Sequence, residues 1–383
     1  MKRVETLIFL TNQVNHHQIY VADELYKALG SKYKYIATEP TPQEFITSGY
    51  PELDRPYITR AYLPGIDITD IQKDIDNADI VIIGSVHDRY IKTRLDQNKI
   101  TFHYSERWFK NISYHIFSPR LWKYIYEYHF KYRDNKSYML CASAFTAKDV
   151  NSVLCYPHKC FKWGYFTKVE ELNIDEILLS KRNNRTIKIM WCARFLKLKH
   201  PELPVKLARI LKRKHCNVRI NMFGNGPEHE HIAKLIQKYE VGDIVTLCGN
   251  QPNEILLKTY REHHIFIFTS DRNEGWGAVL NEAMSNGCAV VASDKIGAAP
   301  FLIKDGYNGF MFKSKNLHSL SEKVEKLIYD IELREKFSIE AYNTMRNVWS
   351  PEKAADRFLT LSNSIINGTD NRVFKEGPCS NIK

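Results

Sequence analysis

The chain has 383 residues, 44% of them hydrophobic, and a formal net charge of +11. This length suggests two domains, and the charge permits nucleic acid, anionic lipid or phosphorylated ligands as partners. No apolar run approaches the ~20 residues needed to span a bilayer, and the short apolar run near the N-terminus fits a first strand better than a signal peptide. The eight cysteines form no CxxC pair, which indicates reduced thiols in a cytosolic protein.

The first half of the chain alternates buried strands with helical patterns, which predicts a doubly wound α/β domain over residues 1–166. Strands are predicted at 6–11, 33–38, 58–63, 79–84, 100–104 and 139–142, and helices at 18–29, 66–77 and 143–151. The turn after the first strand lacks the GxGxxG pattern. Its absence argues against a nicotinamide or flavin enzyme built on this half.

Several polar residues lie near the carboxyl ends of these predicted strands, where open α/β sheets bind ligands. They are His16, His17, His87, His103 and Glu106. A solvated loop or a structural histidine explains the same residues, so both interpretations stay open. The pair of aspartates at 74 and 76 lies on a charged helical pattern, which favours a solvated face over a metal site. No metal site is predicted.

The segment 107–136 combines seven Lys or Arg and ten aromatic residues with only two acids. This composition suits the interface of an anionic membrane. A core-packed helix pair whose lysine stems lie along apolar surface explains it about equally well. Single-stranded nucleic acid could use the same residue types. The chain shows no helix-turn-helix, zinc or RNP pattern, however, so no nucleic-acid partner is predicted.

The second half repeats the alternation after a polar stretch at 167–185, which is predicted to be a linker. A second doubly wound domain is predicted at 186–350, followed by a helix at 351–366 and a disordered tail at 367–383. Arg194 and Lys199 follow the predicted strand 187–193 and are candidates for binding phosphate. The predicted strands 218–224 and 244–249 each lead into a turn.

The stretch at 263–294 carries the densest pattern of the chain. A buried strand at 265–268 leads through a turn with Gly275 and Gly277 into a helix, and another buried strand follows at 289–292. The two glycines let a ligand approach the backbone closely. The free N–H groups of Gly277, Ala278 and Val279 open the helix and favour an anion there.

Two carboxylates flank this predicted anion site. Glu274 lies in the turn, and Glu282 lies roughly one and a half turns into the helix. Within EGWGAVLNEAMSNGCAVVASD they resemble the Glu-x7-Glu signature of retaining glycosyltransferases with the GT-B fold, and family 4 in particular. The resemblance implies two Rossmann-like doubly wound domains that face a central cleft. It also implies that the helix at 351–366 crosses back to the first domain.

The resemblance further implies roles for individual residues. Glu274 would contact the donor sugar, Glu282 would bind the ribose hydroxyls, and Arg194 with Lys199 would hold the donor phosphates, with Lys197 as a competing candidate. His103 would contact the donor sugar, with His87 as the second choice. Further donor contacts are predicted at Gly275, Trp276, Gly277, Ala278, Val279, Gly224 and Asn250, and acceptor contacts at His16, His17, His87 and Glu106.

The predicted activity is that of a retaining, metal-independent glycosyltransferase of the hexosyltransferase type. Its substrate would be a UDP- or GDP-linked sugar, without any further cofactor, and its acceptor a lipid-linked or cell-surface polysaccharide intermediate. The predicted location is cytoplasmic, at the inner face of the plasma membrane. Two alternatives remain: a non-catalytic sugar-binding or partner subunit with a GT-B fold, and a GT-B sugar-nucleotide epimerase.

Overall fold

The computed structural model describes residues 2–43, 46, 52–110 and 117–382. The chain divides into two compact units. Unit 1 comprises Met1–Lys168 and Trp349–Lys383, and unit 2 comprises Val169–Val348. Each unit is built around a parallel sheet that carries helices, so each is a doubly wound α/β structure.

Unit 1 contains a seven-stranded sheet. Its strands are β1 (Leu7–Thr11), β2 (Tyr33–Ala37), β3 (Ile58–Arg60), β4 (Ile80–Ile83), β5 (Thr101–Ser105), β6 (Ser137–Cys141) and β7 (Cys160–Lys162). The helices before the second unit are α1 (Ile19–Leu29), α2 (Ile68–Asn77), α3 (Lys92–Asp96), α4 (Pro119–Tyr128) and α5 (Thr146–Ser152). The spatial order β3-β2-β1-β4-β5-β6-β7 places the reversal of strand order between β1 and β4.

Unit 2 contains a six-stranded sheet. Its strands are β8 (Ile187–Cys192), β9 (Val218–Phe223), β10 (Val245–Gly249), β11 (Ile265–Phe268), β12 (Ala289–Ser293) and β13 (Phe310–Phe312). Its helices are α6 (Ile174–Arg182), α7 (Glu202–Arg213), α8 (His229–Lys238), α9 (Asn253–Glu262), α10 (Val279–Ser285), α11 (Ala299–Leu302), α12 (Leu317–Tyr329) and α13 (Ile331–Asn347). The order β10-β9-β8-β11-β12-β13 places the reversal between β8 and β11. Ligands of such sheets bind outside the carboxyl ends of the strands at the reversal.

The central strands of both sheets are apolar on both faces because helices cover both sides of a parallel sheet. Every residue of β1, β4, β11 and β12 is buried. Helix α7 shows the matching pattern, since Leu203, Leu207 and Leu211 lie on its buried face. A fully buried side chain of this size contributes about 1.5–3 kcal/mol, so the pattern that predicts these elements also stabilises them.

Most of the stretch expected to link two domains, residues 169–185, is instead part of unit 2. Residues 174–182 of that stretch form α6. Asn173 caps its N-terminus, because the Asn173 side chain accepts a hydrogen bond from Glu176 N. The helix buries Leu178, and the buried Lys181 Nζ donates to Gly287 O at 2.6 Å. Its mostly polar composition hides this packing, because only a few side chains face the core.

The last helix of the chain, α14 (Pro351–Ile366), belongs to unit 1 and packs on α1. Ser350 accepts a hydrogen bond from Lys353 N at its start. The Phe358 ring contacts those of Phe102 and Trp163, with ring centroids 5.0 and 5.7 Å apart. Together these contacts anchor the C-terminal part of the chain to the sheet of unit 1.

The prediction of a disordered tail at 367–383 is wrong for its final part. Cys379 is buried, and its backbone N–H donates to Lys162 O at 2.7 Å. Asn381 forms an antiparallel bridge with Phe161, and Ile382 N donates to Cys160 O at 3.0 Å. The tail therefore extends the edge of the sheet at β7, and the bonds that order it join residues more than 200 positions apart.

Within the described part of the chain, no helix is both long and apolar enough to span a bilayer.

Candidate functional site

Two loops meet at the point where the strand order of unit 2 reverses. One follows β8 and the other follows β11. The hydroxyl of Thr269 donates to Lys199 O at 2.6 Å and accepts from Trp191 Nε1 at 2.8 Å. Asp271 N donates to Leu198 O at 2.9 Å. These bonds fix both loops to the buried end of the sheet.

The side chains of Lys199 and Glu274 form an ion pair across these loops. Only 16% of the Lys199 side chain and 11% of the Glu274 side chain are exposed. The ammonium also lies 5.7 Å from the ring centroid of Phe268. The structure thus brings together two residues that the sequence predicts at the site, a cation for phosphate and a carboxylate for sugar hydroxyls.

Glu282 lies on α10 in a different electrostatic setting. The residue as a whole is half-buried, and its carboxyl group accepts a hydrogen bond from the Tyr260 hydroxyl at 3.4 Å. Burial raises the pKa of Glu282 from 4.5 to about 7, although the Tyr260 bond acts in the opposite direction. Near neutral pH this carboxyl group is therefore divided between its protonated and ionised forms.

The turn before α10 requires glycine at position 277. Gly277 has φ +93°, and a Cβ there would lie 2.5 Å from Phe268 Cε1. Hydrogen bonding of the helical kind begins when Leu280 N donates to Gly277 O at 3.0 Å. The half-buried Gly277, Ala278 and Val279 precede that bond, and the first N–H groups of a helix have no partner within it.

Two residues of this turn predicted as donor contacts are buried, Gly275 and Trp276. The indole of Trp276 donates from Nε1 to Asn281 Oδ1 at 2.8 Å, and its carbonyl accepts from Ala298 N at 3.1 Å. The Trp276 side chain is thus part of the core of unit 2, where it supports the turn. Direct contact with a ligand is the weaker interpretation, because the indole has no exposed surface.

Gly224 has a role in bringing two loops together. At its φ of +119°, a Cβ would lie 2.0 Å from Ala193 O, so any side chain would displace the loop after β8. Phe195 N donates to Asn225 O at 2.9 Å, and Glu228 N donates to Phe195 O at 3.0 Å. The glycine turn after β9 therefore shapes the loop that carries Arg194 and Lys199.

The two remaining donor candidates of unit 2, Arg194 and Asn250, are exposed. Arg194 follows β8 at the strand reversal. Asn250 follows β10 at the sheet edge, two strands away from β8. Lys197, the competing phosphate candidate, is also exposed, whereas Lys199 is held by Glu274. The structure therefore favours Lys199 over Lys197 as the positioned cation of this loop.

The sequence does not predict a second cluster of polar side chains at this strand reversal, which is centred on His200. His200 lies 3.2 Å from Asp271 Oδ2 through Nε2 and 3.0 Å from Glu202 Oε1 through Nδ1. Lys315 Nζ contacts the same Asp271 oxygen at 3.1 Å. The hydrogen bond to Glu202 is the main cause that raises the pKa of His200. His200 follows Lys199 directly, but its partners are distant in sequence and no motif marks them.

In unit 1 the predicted acceptor residues His17 and Glu106 are connected through Tyr165. The imidazole of His17 stacks on the Tyr165 ring with centroids 4.9 Å apart, and the Tyr165 hydroxyl donates to Glu106 Oε1 at 2.7 Å. Glu106 also forms an ion pair with Lys110. Burial, and then the neighbouring His16, lower the pKa of His17 to about 4, so its imidazole is neutral at pH 7.

Two further predicted histidines of unit 1, His87 and His103, are held by local structure. His87 is exposed, and its Nδ1 accepts a hydrogen bond from Arg89 N at 3.1 Å at the start of a short helical turn. His103 lies inside β5, buried, with Nδ1 3.5 Å from Asp88 Oδ1. The contact of His103 with a donor sugar stays a prediction, since the residue is 4% exposed and its Nδ1 faces Asp88.

A comparison with known protein families finds a match for unit 2. The model for "Glycosyl transferases group 1" matches residues 176–344, which is nearly all of unit 2. Unit 2 thus matches the glycosyl transferases group 1 family along nearly its whole length. The resemblance to GT-B glycosyltransferases of the family 4 type is thereby confirmed, although the match includes no test of the roles of individual residues.

Two curated relatives align with part of the chain. The poly(ribitol-phosphate) alpha-N-acetylglucosaminyltransferase of Staphylococcus aureus is 27% identical over 175 residues, which are 45% of this chain and 34% of that protein. The poly(glycerol-phosphate) alpha-glucosyltransferase of Bacillus subtilis is 30% identical over 138 residues, 36% of this chain and 20% of that protein. The chain thus spans about a third or less of the length of these relatives.

Comparison with solved structures covers both units. The crystal structure of HepE from Anabaena, in complex with UDP and glucose, matches 95% of this chain and 98% of its own length with a TM-score of 0.62 and 11% identity. At this identity the match concerns the fold alone. It confirms the predicted GT-B fold class, with two Rossmann-like domains in one chain.

Proposed function

We propose that this protein is a retaining, metal-independent glycosyltransferase. It moves a sugar from a nucleotide-diphosphate sugar, linked to UDP or GDP, to a hydroxyl group of its acceptor. The group 1 domain supports this proposal, as do relatives that are named as sugar transferases. The complex of HepE with UDP and glucose supports a uridine nucleotide as the first donor to test.

The Lys199–Glu274 ion pair is the observation that carries the proposal. A phosphate ligand prefers a cation, and sugar hydroxyls prefer a carboxylate acceptor, so a nucleotide sugar offers a new partner to both members of the pair. The pair is largely buried, and the charges of such a pair interact more strongly than they would in water. Donor binding would replace the contact between Lys199 and Glu274 with two contacts to the ligand, one from each side chain.

The rest of the donor site follows from the same loops. Arg194 and the start of α10 at Gly277 add positive charge and N–H donors for the diphosphate. Glu282 binds the ribose hydroxyls. These groups stabilise the charge that builds up on the diphosphate as it leaves, which is the largest contribution that a protein usually makes to such a reaction.

Retention follows from attack on the same face as the leaving group. The acceptor oxygen forms a bond to the anomeric carbon as the bond between that carbon and the phosphate oxygen breaks. The bonding electron pair goes to the diphosphate, and a phosphate oxygen takes the proton of the acceptor hydroxyl. The products are a glycoside and the nucleoside diphosphate, with no covalent enzyme intermediate.

The acceptor is proposed to bind to unit 1, where His16, His17 and Glu106 lie at the carboxyl edge of the sheet. Its class is a lipid-linked or cell-surface polysaccharide intermediate, in keeping with the polymer acceptors in the names of the two relatives. The exposed side of α4 would contact an anionic membrane at its cytoplasmic face. On α4, Trp122 is 42% and Tyr126 57% exposed, and Phe117, just before the helix, is 85% exposed. The described part of the segment 107–136 excludes residues 111–116.

A thermal-shift panel tests the donor site. We would compare UDP, GDP, ADP and their common sugars, without added metal, on the wild type and on Glu282→Ala. A ligand at ~100 times its dissociation constant adds about 2.7 kcal/mol of stability. We expect one nucleotide to stabilise the wild type and to lose this effect in the variant, while exposed Glu254→Ala keeps it. The proposal would be contradicted if no nucleotide raised the melting temperature of the wild type at millimolar concentration.

A further inference from the structure

Unit 1 contains a cluster of three buried groups that the proposed transfer reaction does not use. Asp88 begins the turn after β4, His103 lies in β5, and His129 follows α4. All three side chains are buried. The cluster therefore joins the two central strands β4 and β5 to the helix α4, whose exposed side carries Trp122 and Tyr126.

The distances within the cluster suit a metal ion. Asp88 Oδ1 lies 3.5 Å from His103 Nδ1, and Asp88 Oδ2 lies 3.3 Å from His129 Nε2. Candidate ligand atoms of the three residues all lie within 4.8 Å of one another. Atoms bound to one tetrahedral Zn²⁺ at ~2.0–2.1 Å are separated by about 3.3 Å, so only small movements of the side chains would be needed.

The surroundings resemble the outer shell of a metal site. The Tyr124 hydroxyl donates to Asp88 Oδ2 at 2.6 Å, and His129 Nδ1 lies 2.6 Å from the Tyr156 hydroxyl. Such bonds fix the orientation of metal ligands. His103 Nε2 is buried and has no hydrogen-bond partner among the described residues. That imidazole is thus aimed at Asp88 with one nitrogen and leaves the other unsatisfied.

The charge balance points the same way. The carboxylate of Asp88 is surrounded by the two imidazoles and the Tyr124 hydroxyl, and a buried carboxylate without a cation is costly. A divalent cation bound by the two imidazoles and the carboxylate would remove that cost.

We propose that Asp88, His103 and His129 bind one divalent metal ion of the zinc type, with water completing the coordination. Imidazole nitrogen and carboxylate oxygen are ligands that Zn²⁺ prefers. The ion fastens α4 to the sheet, so it supports unit 1 and takes no part in sugar transfer. The proposal is independent of the proposed function. Sequence reasoning predicted no metal site, because the three ligands come from three separate elements and no spacing motif joins them.

Metal binding by the full-length protein tests the site directly. We would remove metal with a chelator, titrate the protein with Co²⁺ while recording its visible absorption, and then compete with Zn²⁺ from a metal buffer. We expect one ion per chain, ligand-field absorption typical of four-coordination, and a higher melting temperature with metal. His103→Gln and His129→Gln should each weaken binding at least about 100-fold, since loss of an outer-shell group alone costs 10–100-fold.

Two further variants keep the test decisive. Tyr124→Phe removes only the hydroxyl that contacts Asp88 and should weaken Zn²⁺ binding roughly 10–100-fold without unfolding the protein. The exposed His318→Gln should bind like the wild type. Zinc content well below one ion per chain in the wild type would overturn the proposal. Unchanged affinity in the folded His103, His129 and Tyr124 variants would overturn it as well, as would a Co²⁺ spectrum like that of the hydrated ion.

Discussion

The two glutamates of the candidate donor site differ in what surrounds them. Glu274 is paired with Lys199, whereas the carboxyl group of Glu282 is bonded to the Tyr260 hydroxyl and has a raised pKa of about 7. A fixed carboxylate and a readily protonated one therefore lie on the same turn and helix. A ribose hydroxyl can donate to the ionised form of Glu282 or accept from its protonated form, so donor binding is expected to tolerate pH values on both sides of neutrality.

The pKa of Glu282 predicts a pH-dependent effect on stability. Its pKa is about 7 in the folded protein against 4.5 in the unfolded chain, so the folded state holds an extra proton between these values. The contribution to stability is complete below 4.5 and is lost as the pH rises through 7. Glu282→Gln removes the penalty of ionisation. We expect the variant to gain about 2–3 kcal/mol over the wild type at pH 8 relative to pH 5, measured by denaturant unfolding.

The control for this measurement is Glu254→Gln, which changes an exposed carboxyl group at the start of α9. Its stability relative to the wild type should be the same at both pH values. An equal difference between Glu282→Gln and the wild type at pH 5 and pH 8 would contradict the assigned pKa.

Gly277 and Gly306 form a matched pair for testing the turn before α10. Both have positive φ, +93° and +78°, but a Cβ at Gly277 would lie 2.5 Å from Phe268 Cε1 while one at Gly306 meets nothing within 4 Å. Both alanine variants bear backbone strain of ~1 kcal/mol or more, and overpacking adds about 1–3 kcal/mol at Gly277 alone. We expect Gly277→Ala to melt several degrees below Gly306→Ala. Equal melting temperatures would show that the turn tolerates a side chain.

At the scale of elements, hydrophobic periodicity predicts the buried strands and the long helices. It does not predict elements in which most residues are polar. Strand β11 and helix α10 follow from a continuous apolar run and a helical pattern around two glycines. Helix α6 does not, because charged residues dominate it and its packing depends on Leu178 and Lys181. The tail at 367–383 was predicted to be disordered, but its final part is bonded to β7. Local composition contains no information on such distant partners.

In the candidate donor site, too, the sequence predicts some features and not others. The motif identified Glu274 and Lys199 one by one, but their pairing depends on the adjacency of β8 and β11, which only the sheet topology supplies. The sequence does not predict Tyr165 on the acceptor side, since its contact with Glu106 crosses 59 residues. A residue that acts through a partner can be predicted from the sequence in two cases. Either the partner is close in sequence, or a family motif contains both residues.

Helix α4 carries a prediction at the scale of one element. Its exposed Trp122 and Tyr126 can each bury apolar area in a membrane interface, at about 25 cal/mol per Å², and the neighbouring Arg120 and Lys123 attract anionic lipid. We expect Trp122→Ala/Tyr126→Ala to bind vesicles of anionic phosphatidylglycerol roughly tenfold more weakly. Co-sedimentation at low and high salt measures this. The exposed Tyr329→Ala in unit 2 is the control, and equal loss in that variant would contradict a membrane role for α4.

At the scale of the whole molecule, two sheets of the same kind have different chemistry at their reversals of strand order. In unit 2 the reversal joins basic and acidic side chains through Lys199 and Glu274, as a ligand with phosphates and hydroxyls requires. In unit 1 the turns after β1 and β4 carry histidines, and the adjoining strand β5 carries Glu106 at its end. The net charge of +11 favours anionic ligands for both units, a nucleoside diphosphate on one and a phosphorylated or membrane-bound acceptor on the other.

One test separates the effect of a positioned cation from that of positive charge alone. Lys197 and Lys199 lie in the same loop and bear the same charge, but Lys199 is held against Glu274 while Lys197 is exposed. If a positioned cation stabilises the leaving diphosphate, Lys199→Ala should lower kcat about 10²–10³-fold. Lys197→Ala should change it little, because a mobile exposed charge is screened by solvent. Release of nucleoside diphosphate from the donor, without added magnesium or manganese, measures both variants, and a nucleotide-induced shift in melting temperature shows whether each still binds the donor. Equal losses in the two variants would mean that the loop contributes only a positive surface, and the roles of Lys199 and Glu274 would have to be abandoned together.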